Sequence, residues 1–220
     1  MTDWATIASF ATAGGTLVLA VATFSSIRAA QRAALTAELA RQETLRPVLM
    51  SSQPQDAPEN VFWPDGHVAD FKGGQAILEL TDQTIYAALS LHNIGPGLAV
   101  LHGWYIHPQW QQAAEPHPKL EDFRPQRMDL YVRAGGPGLW QGAIRDSADA
   151  DYQPLIESIK RKAMFTIDVL YGDHTGGQRS ITRFGIAPRD GTEWLASVVR
   201  HWNIDRPDPR SLQASARLPT

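Results

Sequence analysis

A run of 24 uncharged residues near the N-terminus constrains this chain more than any other feature. It extends from Trp4 to Ile27, between Asp3 and Arg28, and is rich in aliphatic and aromatic side chains. As an α-helix rising about 1.5 Å per residue, the run reaches roughly 36 Å, which exceeds the roughly 30 Å of a bilayer's hydrocarbon core. We therefore predict a transmembrane helix over residues 4–27.

Two other interpretations of this run fit less well. A secretory signal peptide has a basic n-region and a shorter apolar core, whereas this chain begins Met-Thr-Asp and its apolar run is longer. A core helix buried in a soluble protein rarely exceeds about 14 unbroken apolar residues. A membrane span explains both the length and the lack of charge.

Flanking charges predict the orientation of the span. Arg28, Arg32, Arg41 and Arg46 follow it closely, whereas no Lys or Arg precedes it. Positive charges near a span favour the cytoplasmic side. We expect a single-pass protein of the cell inner membrane, with its N-terminus outside and its C-terminal domain in the cytoplasm.

The span continues into a predicted helical stalk over residues 28–46. This segment is rich in Ala, Arg, Gln, Glu and Leu up to Arg46-Pro47, where proline disfavours helix at the residue before it. Ala11 and Gly15 form a small-xxx-small step within the span, which makes a homodimer through the membrane helix conceivable.

The remaining sequence predicts a mainly β fold. Residues 84–93 alternate between apolar and other side chains, and 165–172 and 178–187 flank a glycine-rich turn, which is typical of a hairpin. Further strands are predicted at 47–53, 60–63, 67–71, 75–80, 99–107, 128–133 and 138–145. Many short strands with turn signals favour an antiparallel β-sandwich-like domain over residues 47–205.

Two accessory helices are predicted within this domain. The first begins with Asp151 as its cap and has Leu155, Ile156, Ile159 and Ala163 on its inner face. The second begins at Thr192 and places Trp194, Leu195, Val198, Val199 and Trp202 on one side. The polar, proline-containing segment 206–220 predicts a disordered tail.

Composition excludes several classes of function. The chain has no cysteine, so disulfides, thiolate zinc sites, Fe–S clusters and cysteine nucleophiles are ruled out. The net charge of −3 and a pI near 6.1 provide no basic surface for nucleic acid. Phosphate-binding loops, nucleophile elbows and H-E-x-x-H are absent too. We expect no cofactor, no metal and no nucleic-acid partner.

The candidates for catalysis are three side chains of the predicted hairpin. Asp173 and His174 lie together in its turn, and Asp168 lies on the preceding strand. They could serve as a metal or acid–base site, although aspartate in a tight turn usually bonds its own backbone.

The candidate for ligand or partner binding is a loop between two predicted strands. Asn93, Gly95, Pro96 and Gly97 supply turn conformations that few other residues adopt. The structural alternative, which the turn chemistry favours, is a connection that directs Trp104 into the core.

The anchor, the segment 45–49, the turn 93–97 and the hairpin 171–184 together give the chain a resemblance. It is similar to uncharacterised bacterial single-pass membrane proteins with a short stalk and a β-rich domain, which implies placement but no substrate, cofactor or catalytic residue. Three hypotheses remain: a membrane-anchored cytoplasmic module that binds a protein or small ligand, a metal-dependent or hydrolase-like enzyme, and an extracytoplasmic sensor or envelope domain with reversed topology.

Overall fold

A computed structural model describes residues 3–189 and 193–207, and the side chains of its first helix from Ala13 onward. The chain divides into two compact units, Met1–Glu43 and Thr44–Thr220. The predicted tail at 206–220 lies outside the described residues from position 208, as does the predicted cap at Thr192.

Helix α1 (Trp4–Thr44) is one continuous helix of 41 residues. It contains the predicted span and the predicted stalk as far as Thr44, two residues short of the predicted end, so the prediction of an uninterrupted helix that stops before Pro47 is confirmed. Within the described residues, its Ala13–Thr44 portion is the one helix long and apolar enough to cross a membrane. Its large apolar side chains, from Leu17 to Ile27, are more than half exposed.

The second unit is built mainly of antiparallel strands. Their bounds are β1 (Leu49–Ser51), β2 (Glu59–Phe62), β3 (Val68–Phe71), β4 (Gln75–Thr81), β5 (Thr84–Asn93), β6 (Ala99–His107), β7 (Arg124–Pro125), β8 (Tyr131–Val132), β9 (Gly136–Ile144), β10 (Phe165–Asp173), β11 (Arg179–Pro188) and β12 (Trp194–Asn203). Most predicted strands are confirmed, but the one predicted at 128–133 is reduced to the two residues of β8.

Ten of these strands form one sheet in the order β1-β5-β4-β12-β11-β10-β6-β7. Strand β8 also pairs with β6, and β9 pairs with β5 along its whole length. The predicted hairpin is confirmed as β10 and β11, which pair from Phe165↔Ile186 to Gly172↔Arg179. Strands β2 and β3 form a separate hairpin.

The main hydrophobic core contains residues from strands near both ends of this order. Trp140 of β9 is fully buried, and its ring lies 5.5 Å from that of Trp104 on β6 in an edge-to-face arrangement. The prediction that Trp104 enters the core is therefore confirmed. Leu49 of β1 and Val132 of β8 belong to the same cluster.

Helix α2 (Tyr152–Lys160) confirms the first accessory helix with two differences. Leu155 and Ile156 are buried as predicted, but the helix ends before Ala163, which is exposed. Asp151 precedes the helix without a side-chain capping bond, and its carboxylate instead accepts a hydrogen bond from Arg124 at 2.7 Å.

The prediction of a second accessory helix is wrong, because residues 194–203 form strand β12 between β11 and β4. Trp194, Ala196 and Val198 contact the main core with the period of two expected of a strand. A bulge then shifts the register opposite Arg183 and Phe184, and Trp202 belongs to a different cluster. Because both faces of β12 pack against other residues, its apolar side chains do not simply alternate with polar ones. Their spacing therefore resembled that of an amphipathic helix.

Candidate functional site

The predicted site residue Asp168 lies on β10, fully buried in an ion pair with Arg183 of β11. The guanidinium Nε and Nη2 each donate to one carboxylate oxygen at 2.7 Å. His107 of β6 completes the group, with its Nε2 3.1 Å from the second of these oxygens. Asp168 is thus held by two neighbouring strands and has no exposed surface.

Arg183 also fastens the long connection that follows β6. Its Nη1 donates to the carbonyl oxygens of Gln112 and Glu115, and its Nη2 donates to that of Pro116 at 3.1 Å. All five guanidinium N–H groups are therefore used. Both charges of the buried pair are therefore satisfied by hydrogen bonds within the β-rich unit, which favours a structural role for the pair.

Asp173 and His174 lie at the other end of β10, and Asp173 is five residues from Asp168. Asp173 Oδ1 accepts hydrogen bonds from the backbone N–H groups of Thr175 at 2.7 Å and Gly177 at 3.2 Å. Burial alone would raise the pKa of Asp173, but the hydrogen bonds from the Thr175 hydroxyl and from the backbone N–H groups of Gly177 and Thr175 outweigh it, and the pKa lies below its usual value. The Asp173 carboxylate thus stabilises the turn, and the neighbouring His174 is exposed.

Side chains five positions apart on a regular strand point to opposite faces, so the structure does not bring Asp168 together with Asp173 and His174. No group of three His, Asp or Glu side chains close enough to hold a metal occurs in the part of the chain that the structure describes. A catalytic role for the three residues stays a prediction.

The loop of Asn93, Gly95, Pro96 and Gly97 packs against the segment that precedes β1. Asn93 is fully buried; its Oδ1 accepts from Val48 N–H at 3.1 Å, and its Nδ2 donates to the Gly97 carbonyl oxygen at 2.7 Å. A Cβ at Gly97 would lie 1.7 Å from the carbonyl oxygen of Leu45. The loop therefore holds the start of the β-rich unit, and a role in ligand or partner binding stays a prediction.

A cleft of about 560 Å³ lies elsewhere on the β-rich unit and was not predicted. Its lining comes from three separated parts of the chain and one residue of β6: residues 63–65, 124–128, 141–143 with 145, and Trp104. This volume lies within the range of small-molecule sites. The site was missed because its members are brought together by long-range strand pairing, and only the Arg124-Pro125-Gln126-Arg127 segment has a local concentration of charge.

Aromatic side chains form fixed walls of this cleft. Trp63 is 4% exposed, and its Nε1 donates to the Gly142 carbonyl oxygen at 3.2 Å. Trp104 lies beneath the Arg124 guanidinium, whose central carbon is 5.2 Å from the ring centroid. Both indoles are thus held by contacts within the domain, which preorganises the lining.

Arg124 is itself held by two carboxylates. Its Nη1 and Nη2 form a bidentate pair with Asp149 at 2.5 and 2.8 Å, and Nη2 also donates to Asp151 at 2.7 Å. The hydrogen bond from Arg124 lowers the pKa of Asp149 and raises the pKa of Arg124. This ion-pair group keeps the guanidinium in place above Trp104.

A second ion pair lies at another side of the cleft. Arg145 Nε and Nη2 donate to Asp65 Oδ2 at 3.1 and 2.8 Å, and the Tyr86 hydroxyl donates to the same oxygen at 2.8 Å. Partial burial would raise the pKa of Asp65, but these donors lower it to about 2. Burial and the neighbouring carboxylate raise the pKa of Tyr86.

Two glutamines of the lining have unused hydrogen-bonding capacity. The Gln126 amide nitrogen donates to the Met128 carbonyl oxygen at 2.7 Å, and that of Gln141 donates to the Phe62 carbonyl oxygen at 3.0 Å and to the Asp129 carboxylate. These acceptors fix the orientation of both amides. The Oε1 atom of each is buried and accepts no hydrogen bond from the described residues.

The chain matches no family model, no curated protein and no solved structure. Any function must therefore be inferred from the geometry of the chain itself. The cleft combines aromatic walls, arginine side chains and two glutamines whose amide oxygens have no donor among the described residues.

Proposed function

We propose that the protein is a membrane-anchored module of the cytoplasm that binds a small ligand in the cleft beside Trp63 and Trp104. The proposal keeps the predicted single-pass topology and the resemblance to bacterial single-pass membrane proteins. It joins an anchoring function in the first unit to a binding function in the second.

The anchoring function rests on the exposed apolar surface of α1. Leu17, Val18 and Leu19 have 66–68% of their surface exposed, and no core of the protein covers them. In water such a surface would be costly at about 25 cal/mol per Å² of apolar area. A lipid bilayer is the surrounding that removes this cost, and arginines at positions 28, 32, 41 and 46 favour the cytoplasmic side for the second unit.

The β-rich unit is proposed to form two facing layers, as a sandwich does. Strands β6 and β9 lie far apart in the pairing order, yet Trp104 and Trp140 contact each other within one core. A sheet that folds over itself brings such strands together. Two layers give the cleft a rigid support, since its lining residues lie on or next to strands of both regions.

The binding function rests on one observation: Gln126 and Gln141 line the cleft, and the buried Oε1 atom of each has no hydrogen-bond donor among the described residues. A buried acceptor without a partner costs about 1–3 kcal/mol. Occupation of the cleft by a molecule with hydrogen-bond donors, directly or through an ordered water, would recover that cost.

Reporter fusions test the anchoring and the orientation. We expect a reporter that is active only in the cytoplasm to be active when fused to the C-terminus, and one active only outside to be silent. The opposite pattern would reverse the topology and support an extracytoplasmic domain.

A thermal-shift screen of small molecules against the full chain in detergent tests the binding. A compound counts as a cleft ligand when its stabilising shift is lost in Met128→Trp and retained in Met50→Trp. Met128 lines the cleft and Met50 does not, and the two are similarly exposed at 38% and 36%. Absence of any such compound, whatever its charge, would contradict a ligand-binding cleft.

A further inference from the structure

The arginines of the cleft differ in whether they are already paired with a carboxylate of the protein. Arg124 is paired with two carboxylates, and Arg145 is paired with Asp65. Arg127 is exposed at the cleft and makes no hydrogen bond or ion pair within residues 3–189 and 193–207. It is therefore a cation of the lining that is available to a ligand.

The carboxylates near the cleft all have partners other than Arg127, including Asp129, which accepts a hydrogen bond from the Gln141 amide. Asp65 receives Arg145 and Tyr86, while Asp149 and Asp151 receive Arg124. Each of these groups is fixed by a partner within 3 Å. Arg127 thus forms no ion pair with any of them, and its guanidinium can pair with an anion that enters from outside.

The other residues of the lining indicate which further chemical groups such an anion should have. The cleft has two indoles together with Pro64, Pro125 and Met128, so its surface is mainly apolar. Flat apolar groups pack well against aromatic and proline surfaces. The unpaired Oε1 atoms of Gln126 and Gln141, two residues of the lining, favour a ligand that supplies an N–H or O–H donor, directly or through an ordered water.

We propose that the ligand of this cleft is a small organic anion with a planar apolar body and a hydrogen-bond donor. The anionic group pairs with Arg127, and the planar body lies against Trp63 and Trp104. The donor forms a hydrogen bond to the amide oxygens of Gln126 and Gln141, directly or through an ordered water. This inference rests on the proposed function and specifies the ligand of the same site.

Matched aromatic probes test the inference on the full chain in detergent micelles. The reference probe is 4-aminobenzoate, which has a carboxylate, a ring and an amine; 4-aminobenzamide lacks the charge and benzoate lacks the donor. Binding is measured by titration calorimetry and by the indole N–H signals of the tryptophans. A charge-assisted hydrogen bond is roughly twice as strong as a neutral one, a gain of about 1 kcal/mol, so we expect 4-aminobenzoate to bind about 5-fold more tightly than 4-aminobenzamide.

Variants assign the effect to Arg127. We expect Arg127→Ala to remove the preference for the carboxylate, and Arg127→Lys to retain part of it. Arg161→Ala is the control, because Arg161 directly follows α2, lies outside the cleft and has a 77% exposed side chain. Unchanged melting temperatures would show that the variants fold.

The outcomes separate this inference from the proposed function. Equal affinity for 4-aminobenzoate and 4-aminobenzamide, with both lost in Met128→Trp, would overturn the anion and leave the binding cleft intact. A carboxylate preference unchanged in Arg127→Ala would place the anion elsewhere and would also overturn the inference. No binding of any of the three probes would overturn this ligand class, while the screen described above would still decide on the cleft.

Discussion

Among single residues, Asp168 and Arg183 form the group whose loss should cost most. Both side chains are 0% exposed, and Asp168→Asn would leave a guanidinium buried without its counter-charge. We expect the free energy of unfolding to fall by about 3–5 kcal/mol. Chemical denaturation of the full chain in detergent measures this, with the exposed Glu157→Gln as control. Native stability in Asp168→Asn would contradict the structural role and reopen a catalytic one.

Asp65 should give a pH-dependent contribution to stability. Its pKa is about 2 in the folded protein and about 3.9 in an unfolded chain, so the folded state favours the ionised form. The contribution is complete above about pH 4 and is lost as the pH falls toward 2. We expect Asp65→Asn to lower the melting temperature at pH 7.

The difference in melting temperature between Asp65→Asn and the native chain should shrink between pH 4 and pH 2. Asp70→Asn is the control, because Asp70 is exposed on β3 and makes no recorded ion pair within the described residues. A difference that is constant over this pH range would show that the Arg145 and Tyr86 contacts do not favour the ionised carboxylate.

At the scale of elements, local patterns predict most of the strands but not their partners. The hairpin of β10 and β11 is recognisable from its alternation and its glycine-rich turn, because both signals lie within about 20 residues. Strand β12 is not, since its two faces pack on different clusters and a bulge near Arg183 interrupts its period. The cleft escapes prediction for a related reason: Trp63, Arg127 and Gln141 meet only through pairing between distant strands.

The loop after β5 gives a prediction about how elements are joined. A Cβ at Gly97 would collide with the carbonyl oxygen of Leu45, a backbone atom that cannot rotate away. We expect Gly97→Ala to destabilise the β-rich unit by about 1–3 kcal/mol through overpacking. Pro96→Ala, at an exposed position of the same loop, should have little effect. Equal melting temperatures for the two variants would contradict the close approach.

At the scale of the whole molecule, the uneven distribution of charge matters more than its total. The 24 residues from Trp4 to Ile27 have none, and the 193 residues after them contain 20 basic and 22 acidic side chains. The two units of the structure follow this division, since the exposed apolar side chains from Leu17 to Ile27 lie in the first unit and the buried cores lie in the second. Anchoring and binding can therefore be tested by separate substitutions.

Leu19→Arg tests whether α1 anchors the protein. An arginine near the centre of a span costs about 3 kcal/mol on insertion scales, so we expect the variant to shift from the membrane to the soluble fraction. Leu35→Arg is a matched control, because Leu19 and Leu35 are both 68% exposed on α1 but Leu35 lies in the predicted stalk. It should stay with the membrane. Fractionation of Leu19→Arg with the membrane would show that this span is not the anchor, and release of Leu35→Arg would extend the embedded segment beyond residue 27.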